Sequence, residues 1–227
     1  MEVYSSEWAE NYERLANAGI PGREGLYRIC QASFQSLPAD ASILIVGCGT
    51  GVETLQLAEA LPNVSFVAVD PAQPMLDFCA RQVEAQGFDQ RVSLHAGTLD
   101  SLPSDALFDA ATAILVSQHI SEDADTEAFF QNIVRRLKPG GYLYSADLHI
   151  AAGQNREKMI ALWQDQALMA GIETDVIEAL LMRFESDLRV RDEETIINFL
   201  QKAGFVSTLK PFSSLLYGAW LSQRRER

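Results

Sequence analysis

Ile43-Leu44-Ile45-Val46 is a run of branched apolar residues with no polar position inside it. A strand shielded on both faces reads this way, whereas a strand with one wet face alternates. The run ends in glycines, and residues 52–61 then take up helical spacing. The same beat recurs downstream. Residues 64–69 predict a strand that closes on Asp70, and 74–86 a helix with Met75, Cys79 and Val83 on one face. Strands follow at 91–95 and 108–116, the latter nearly all apolar from Ala110 on. A helix over 127–138 buries Phe130, Ile133, Val134 and Leu137. Lys138-Pro139-Gly140-Gly141 stops it, because proline cannot continue a helix and glycine frees the turn. Residues 142–148 predict the fifth strand. Upstream, residues 6–36 read as two helices broken at Gly19-Ile20-Pro21-Gly22.

After the fifth strand the rhythm changes. Residues 153–190 read as two amphipathic helices with no strand between them, the second lining up Ile177, Leu180, Leu181 and Phe184. A helix at 193–203 ends at Gly204. Strands at 205–210 and 215–221 follow, joined by Pro211 to Ser214, a link too short for a parallel crossover, so the two form an antiparallel hairpin. Alternating strands and helices predict an α/β fold: a Rossmann-like, doubly wound sheet of seven strands, five of them parallel, then a parallel/antiparallel closing hairpin. The reading is one domain over 1–227, with a helical cap at 1–38 and an inserted helical pair at 151–191. In open α/β sheets ligands bind at the C-terminal edge, where that insertion could sit.

Charge narrows the partners. The 227 residues carry 18 Lys and Arg against 31 Asp and Glu, a formal net charge of −13. Such a surface repels phosphate backbones, so nucleic acid is an unexpected partner. The basic end Arg224-Arg225-Glu226-Arg227 reads as a solvated, frayed tail. Cys30, Cys48 and Cys79 form no C-x-x-C pair, and His95, His119 and His149 show no metal-ligand spacing, so no metal site is expected. The start of the chain lacks the charge and apolar run of a signal peptide. No apolar stretch approaches the roughly 18 residues of a membrane span. A cytoplasmic location without membrane attachment is the expectation.

The strongest motif is Gly47-Cys48-Gly49-Thr50-Gly51, between the first strand and its helix. Glycines let the backbone turn tightly and let a ligand approach it. Asp70 ends the next strand, 23 residues after Gly47, where a carboxylate can accept both hydroxyls of a ribose. A dinucleotide site prefers G-x-G-x-x-G, with a helix N-terminus facing a pyrophosphate. Here the third glycine comes one position early.

With the closing hairpin, this G-x-G-x-G resembles the class I S-adenosylmethionine-dependent methyltransferases, over almost the whole chain. Asp70, Pro71 and Met75 look like the family's ribose acid and adenine-side contacts. Gly97-Thr98-Leu99-Asp100-Ser101-Leu102-Pro103 looks like the segment beside the adenine. Leu137-Lys138-Pro139-Gly140-Gly141 and Ala203-Gly204-Phe205 are similar to the usual leads into the fifth strand and the hairpin. The resemblance implies S-adenosylmethionine as cofactor and S-adenosylhomocysteine as product. Gly47, Cys48, Gly49 and Gly51 would form the bed, Asp70 and Pro71 the ribose edge. Met75 and Leu99 would enclose the adenine with Thr98 at its amino group, and Ile114 and Leu115 would meet the methionine end.

Within the class, Ile20-Pro21-Gly22, the helical pair and the ending Leu216-Tyr217-Gly218-Ala219-Trp220-Leu221 are similar to the carboxy-S-adenosylmethionine synthases and related small-molecule methyltransferases. The chain departs from its relatives at particular positions. Ile45 stands where most carry an acid, and Thr98 where many carry Asp. Leu181 stands where the carboxy branch needs an arginine, with Arg183 nearby on another helix face, and Arg23 where that branch has a tyrosine.

Methyl transfer is an in-line displacement in which alignment does most of the work and a general base is optional. His119, just past the fourth strand, is the candidate base. Tyr12, Arg23, Trp163 and Tyr217 are candidate acceptor-pocket residues, with Met169 beside them in the insertion. Trp8 and Tyr12, four apart on the first helix, serve packing equally well, and an aromatic at helical spacing is more often core. His149 is a weaker candidate, and His95 reads as structural. The acidic run Glu122, Asp123, Asp125, Glu127 reads as a helix start. The expected function is methyl transfer to a small-molecule acceptor, with a homodimer among the expected states. Two further readings stay open: a carboxy-S-adenosylmethionine synthase-like or other non-methylating enzyme, and a cofactor-binding protein without catalysis.

Overall fold

The computed structural model describes residues 6–103 and 105–226, with side chains described from Asn11 onward. The side chain of Trp8, and Arg227 of the basic tail, lie outside the described residues. In chain order the elements are α1 (Ser6–Gly19), α2 (Arg23–Ser33), β1 (Ser42–Val46), α3 (Val52–Ala60), β2 (Ser65–Asp70), α4 (Gln73–Ala85), β3 (Val92–Ala96) and β4 (Phe108–Ile114). Then come α5 (Asp123–Arg136), β5 (Leu137–Ile150), α6 (Arg156–Met169), α7 (Thr174–Ser186), β6 (Arg191–Asp192), α8 (Glu193–Ala203), β7 (Phe205–Ser214) and β8 (Tyr217–Arg224).

The sheet order is β3-β2-β1-β4-β5-β8-β7. Pairings among β1 to β5 are parallel, while β8 runs antiparallel to both β5 and β7. The order reverses between β1 and β4, which opens a crevice at their C-terminal ends. The apolar run of β1 now has its reason. Ile43 and Ile45 enter the core that holds α2, α3 and α4, and Leu44 and Val46 enter the core under α5 and α8. A strand with helices on both faces has no side left for a polar residue.

Several boundaries differ from the sequence expectation. The hairpin link is Leu215-Leu216, with Leu215 at φ 48, and residues 211–214 belong to β7. Proline fits there because β7 is the sheet's edge and its register shifts between Leu209 and Phe212, so no ladder bond is lost. Helix α5 starts at Asp123, taking the acidic run as its first turn, as the helix dipole favours, and ends at Arg136. Strand β4 stops at Ile114, and Ser117–His119 is a short 3-10 turn. Strand β5 runs from Leu137 to Ile150, and the Lys138–Gly141 stretch is a bulge within it, between the pairs Phe108–Leu137 and Ala110–Tyr142.

The two-residue strand β6 was not expected. It pairs with His149 and Ile150, so the inserted pair α6–α7 returns onto the end of β5. Arg191 fastens that return. Its buried guanidinium donates to the Ser117 and Ile120 carbonyls and to Thr126 Oγ1, at 3.2, 2.9 and 2.8 Å. The basic end is not frayed at Arg224, which lies in β8 and donates to the carbonyls of Val134 and Leu137, closing α5. Among the described residues no helix is long and apolar enough to cross a membrane.

Candidate active site

The glycine loop leaves β1 and turns directly into α3. Gly51 has φ 88 as the residue before α3, and a Cβ there would drive into the Cys79 sulfur of α4. Packing therefore demands that glycine. Gly49 is the opposite case. Its φ is 52, and a Cβ there would meet nothing within 4 Å, so the loop keeps open space on that side. The Gly49 N–H donates to Asp70 Oδ2 at 2.9 Å, and Ala72 N–H donates to Oδ1 at 2.8 Å. Burial pushes the Asp70 carboxyl up, and the two backbone donors pull it back. Each oxygen still has a lone pair to offer.

Around this edge Met75 and Leu99 are buried, and Pro71 and Thr98 are exposed. The Thr98 carbonyl accepts from the Ser101 backbone and hydroxyl, which makes the turn compact. Beyond β4, Leu115 sits at φ 60, a left-handed conformation unusual for a residue with a Cβ, and its N–H donates to the Ala146 carbonyl at 2.7 Å. Strain of this kind, of order 1–3 kcal/mol, persists where the surroundings fix it and clusters at functional sites.

The cap closes over the loop. A cleft is lined by Tyr12, Arg23 and Tyr27 from the cap, Gly47 to Thr50, Glu53, and Ile114 and Leu115. It encloses about 40 Å³, room for a few waters. Glu13 ties the closure. One carboxylate oxygen accepts from Arg23 Nη1 at 2.7 Å and the other from the Thr50 hydroxyl. Arg23 also donates to Asn17 Oδ1 at 2.7 Å and to the Tyr27 hydroxyl at 3.1 Å. Burial works against the Arg23 charge, but Tyr27 and Glu13 outweigh it and hold the guanidinium protonated.

The expected residues do not all meet here. Tyr12, Arg23, the glycine loop, Ile114 and Leu115 come together in the cleft. Trp163 and Tyr217 do not line it. Trp163 is 1% exposed, gives its N–H to the Gly19 carbonyl at 2.7 Å and packs on Phe184, so it pins α6 to α1. Tyr217 is buried beside it, its phenol pushed up by burial. Met169 is 90% exposed. His119 is outside the cleft lining as well. Crowding around its ring and the Arg183 charge push it down to about 4, against Asp187. Arg183 thus lies by His119 and Asp187, not in the cleft.

His149 is buried in the core, with Lys210 Nζ 2.7 Å from its Nε2, and burial and that cation push it down to about 4. His95 Nε2 is 2.9 Å from Ser101 Oγ, a structural contact. Sequence reading missed Glu13, Tyr27 and Glu53. For Glu53 a signal existed: it shares the inward face of α3 with Leu57, four residues on, where an acid is out of place. Burial pushes its carboxyl up to about 7, with Thr112 beside it pulling the other way. No group of three metal-ligating side chains occurs among the described residues.

Residues 43–141 match the methyltransferase domain family. The chain is 30% identical over 170 residues to a cypemycin N-terminal methyltransferase from a Streptomyces species, covering 72% of this chain and 66% of that one. It is 24% identical over 213 residues to a carboxy-S-adenosyl-L-methionine synthase from Hydrogenovibrio crunogenus, covering 92% and 83%. The chain spans 42% and 53% of the length of two further methyltransferase relatives. Among solved structures, one of an O-methyltransferase-like protein from Nostoc punctiforme superposes with a TM-score of 0.69 at 15% identity, over 96% of this chain and 59% of that one. That likeness speaks to the fold.

Proposed function

From the premise that the chain belongs to the class I S-adenosylmethionine-dependent methyltransferases, we propose that it transfers a methyl group to a small-molecule acceptor. The observation that carries this is the bond between Gly49 and Asp70. It places the acid at the end of β2 against the open side of the glycine loop, where a nucleoside would lie. The residues fit such a ligand: a carboxylate with spare lone pairs, buried Met75 and Leu99 beside it, and an open backbone at Gly49.

When bound, the cofactor supplies an electrophilic methyl group on a sulfonium, which becomes the thioether of S-adenosylhomocysteine. The chain's task is alignment. Asp70 holds the ribose, and the loop backbone with Ile114 and Leu115 flanks the methionine end. The cap, held by Glu13 to Arg23 and Thr50, excludes water. His119 is neutral throughout the physiological range, so it could accept a proton only from an acceptor already acidic enough to give it up. Tyr12, on the cap, lines the same cleft and is the candidate acceptor contact.

Calorimetric titration of S-adenosylmethionine and S-adenosylhomocysteine tests the reading. Both should bind the wild type, and Asp70→Ala should weaken both at least tenfold. A wild type that binds neither would end the assignment. Mass spectrometry of ligand released on denaturation separates a carboxylated cofactor, which would favour the carboxy-S-adenosylmethionine branch.

A further inference from the structure

Two residues that line the cleft each carry a buried side-chain atom with no hydrogen-bond partner among the described residues. One is Arg23 Nε and the other is Glu53 Oε1. Arg23 is 6% exposed and Glu53 5%, and both line the same narrow space. Their needs are opposite: one is a donor on a cation, the other an acceptor on a carboxyl. No ion pair joins them, since Arg23 is turned to Glu13, Asn17 and Tyr27. A buried polar atom without a partner carries its full desolvation cost, so such a pair points to a ligand that meets both. A carboxylate and an ammonium on one carbon, the end of an α-amino acid, carries that complementary pair of charges.

We propose that Glu53 is the receptor for the α-ammonium group of the cofactor's amino-acid end, with Arg23 Nε opposite it for the carboxylate. This rests on the cofactor reading above. Among the cleft-lining residues Glu53 is the one carboxyl and Arg23 the one guanidinium. The groups facing Glu53 are Tyr27 and Cys30 from α2, Cys48 from the glycine loop and Tyr144 from β5, all held protonated and neutral near pH 7. Thr112 of β4 lies beside it and carries no charge, and Glu13 belongs to Arg23. An incoming ammonium is therefore the partner that would draw Glu53 into its ionised form. Burial pushes the carboxyl up to about 7, so binding of an ammonium near neutral pH should be accompanied by proton release.

The test compares S-adenosylhomocysteine with 5′-methylthioadenosine, which lacks the amino-acid end, on the full chain and on Glu53→Gln. Calorimetry in buffers of different ionisation enthalpy gives both affinity and proton release. In the expected result, Glu53→Gln weakens S-adenosylhomocysteine about 10- to 100-fold, abolishes the proton release and leaves 5′-methylthioadenosine within twofold. Equal loss for both ligands would make Glu53 a structural residue and overturn the proposal. An unchanged S-adenosylhomocysteine affinity would overturn it too. If the wild type binds both ligands equally well, the cofactor reading stands and this proposal falls. If it binds neither, both fall together.

Discussion

The Gly49 N–H and the Asp70 carboxylate are 2.9 Å apart, so the loop after β1 and the end of β2 are one rigid unit before any ligand arrives. The second Asp70 oxygen is held by Ala72, which fixes the carboxylate plane. Asp70→Asn keeps the shape but turns one acceptor into a donor facing a donor. Bonds to a charged acceptor contribute about 1.5–3 kcal/mol, so chemical denaturation should show a loss of about 1–3 kcal/mol. Affinity for 5′-methylthioadenosine, which has the ribose, should fall with it. A variant as stable as wild type would mean that the two backbone donors find other partners.

Glu13 gives the cap a removable latch. Its two oxygens hold Arg23 on α2 and Thr50 on the glycine loop. Glu13→Ala cuts both ties and leaves the sheet untouched. Charge-assisted bonds of this sort contribute enough to change local opening about tenfold. Amide hydrogen exchange in α1 should accelerate by that factor or more, with β1 and β4 amides unchanged. Equal exchange in α1 would show that apolar packing alone holds the cap.

The sheet was legible in the sequence because burial on both faces leaves a plain trace: Ile43, Leu44, Ile45 and Val46 are all within the core, two on each side. The glycine loop and Asp70 were legible because each stands at the end of a neighbouring predicted strand, and parallel pairing of β1 with β2 brings those ends together. The latch was not. Glu13 meets Arg23 10 residues away and Thr50 37 residues away, and neither spacing has a local signature. Trp163 misled for the same reason. An aromatic on a helix reads alike whether it faces a ligand or the Gly19 carbonyl. Pro211 marked a turn by type, but an edge strand with a register shift admits it.

His119 offers a check on the electrostatics of the insertion. Protein atoms crowded around its solvent-exposed ring and the charge of Arg183 push it down, to about 4, and Asp187 opposes them. A proton–nitrogen NMR titration should place its midpoint at about pH 4. Arg183→Gln removes the cation, so the midpoint should rise by roughly one unit toward the ordinary 6.5. An unmoved midpoint would mean that the Arg183 charge is screened by solvent at this exposed ring.

Asp147 and His149 stand two residues apart on β5, facing the α5–α8 core, and they pull stability in opposite directions with pH. Burial pushes the Asp147 carboxyl up to about 7, although Ser117, Arg191 and the Gln118 N–H at 3.0 Å oppose it. The folded chain then holds a proton that the unfolded chain releases near pH 4. Stability from this group therefore falls as pH rises from about 4 to about 7. His149 is the reverse. Its folded value is about 4, so the unfolded chain binds the extra proton, and stability is lost as pH falls from about 6.5 to about 4. Asp147→Asn removes only the first effect, and its carbonyl oxygen can still accept from Gln118. Urea denaturation at pH 5 and pH 8 should show the variant gaining on wild type at the higher pH, by about 1–4 kcal/mol. A gap between the two proteins that stays constant with pH would mean that Asp147 is ionised in the folded chain, with Arg191 as its effective partner.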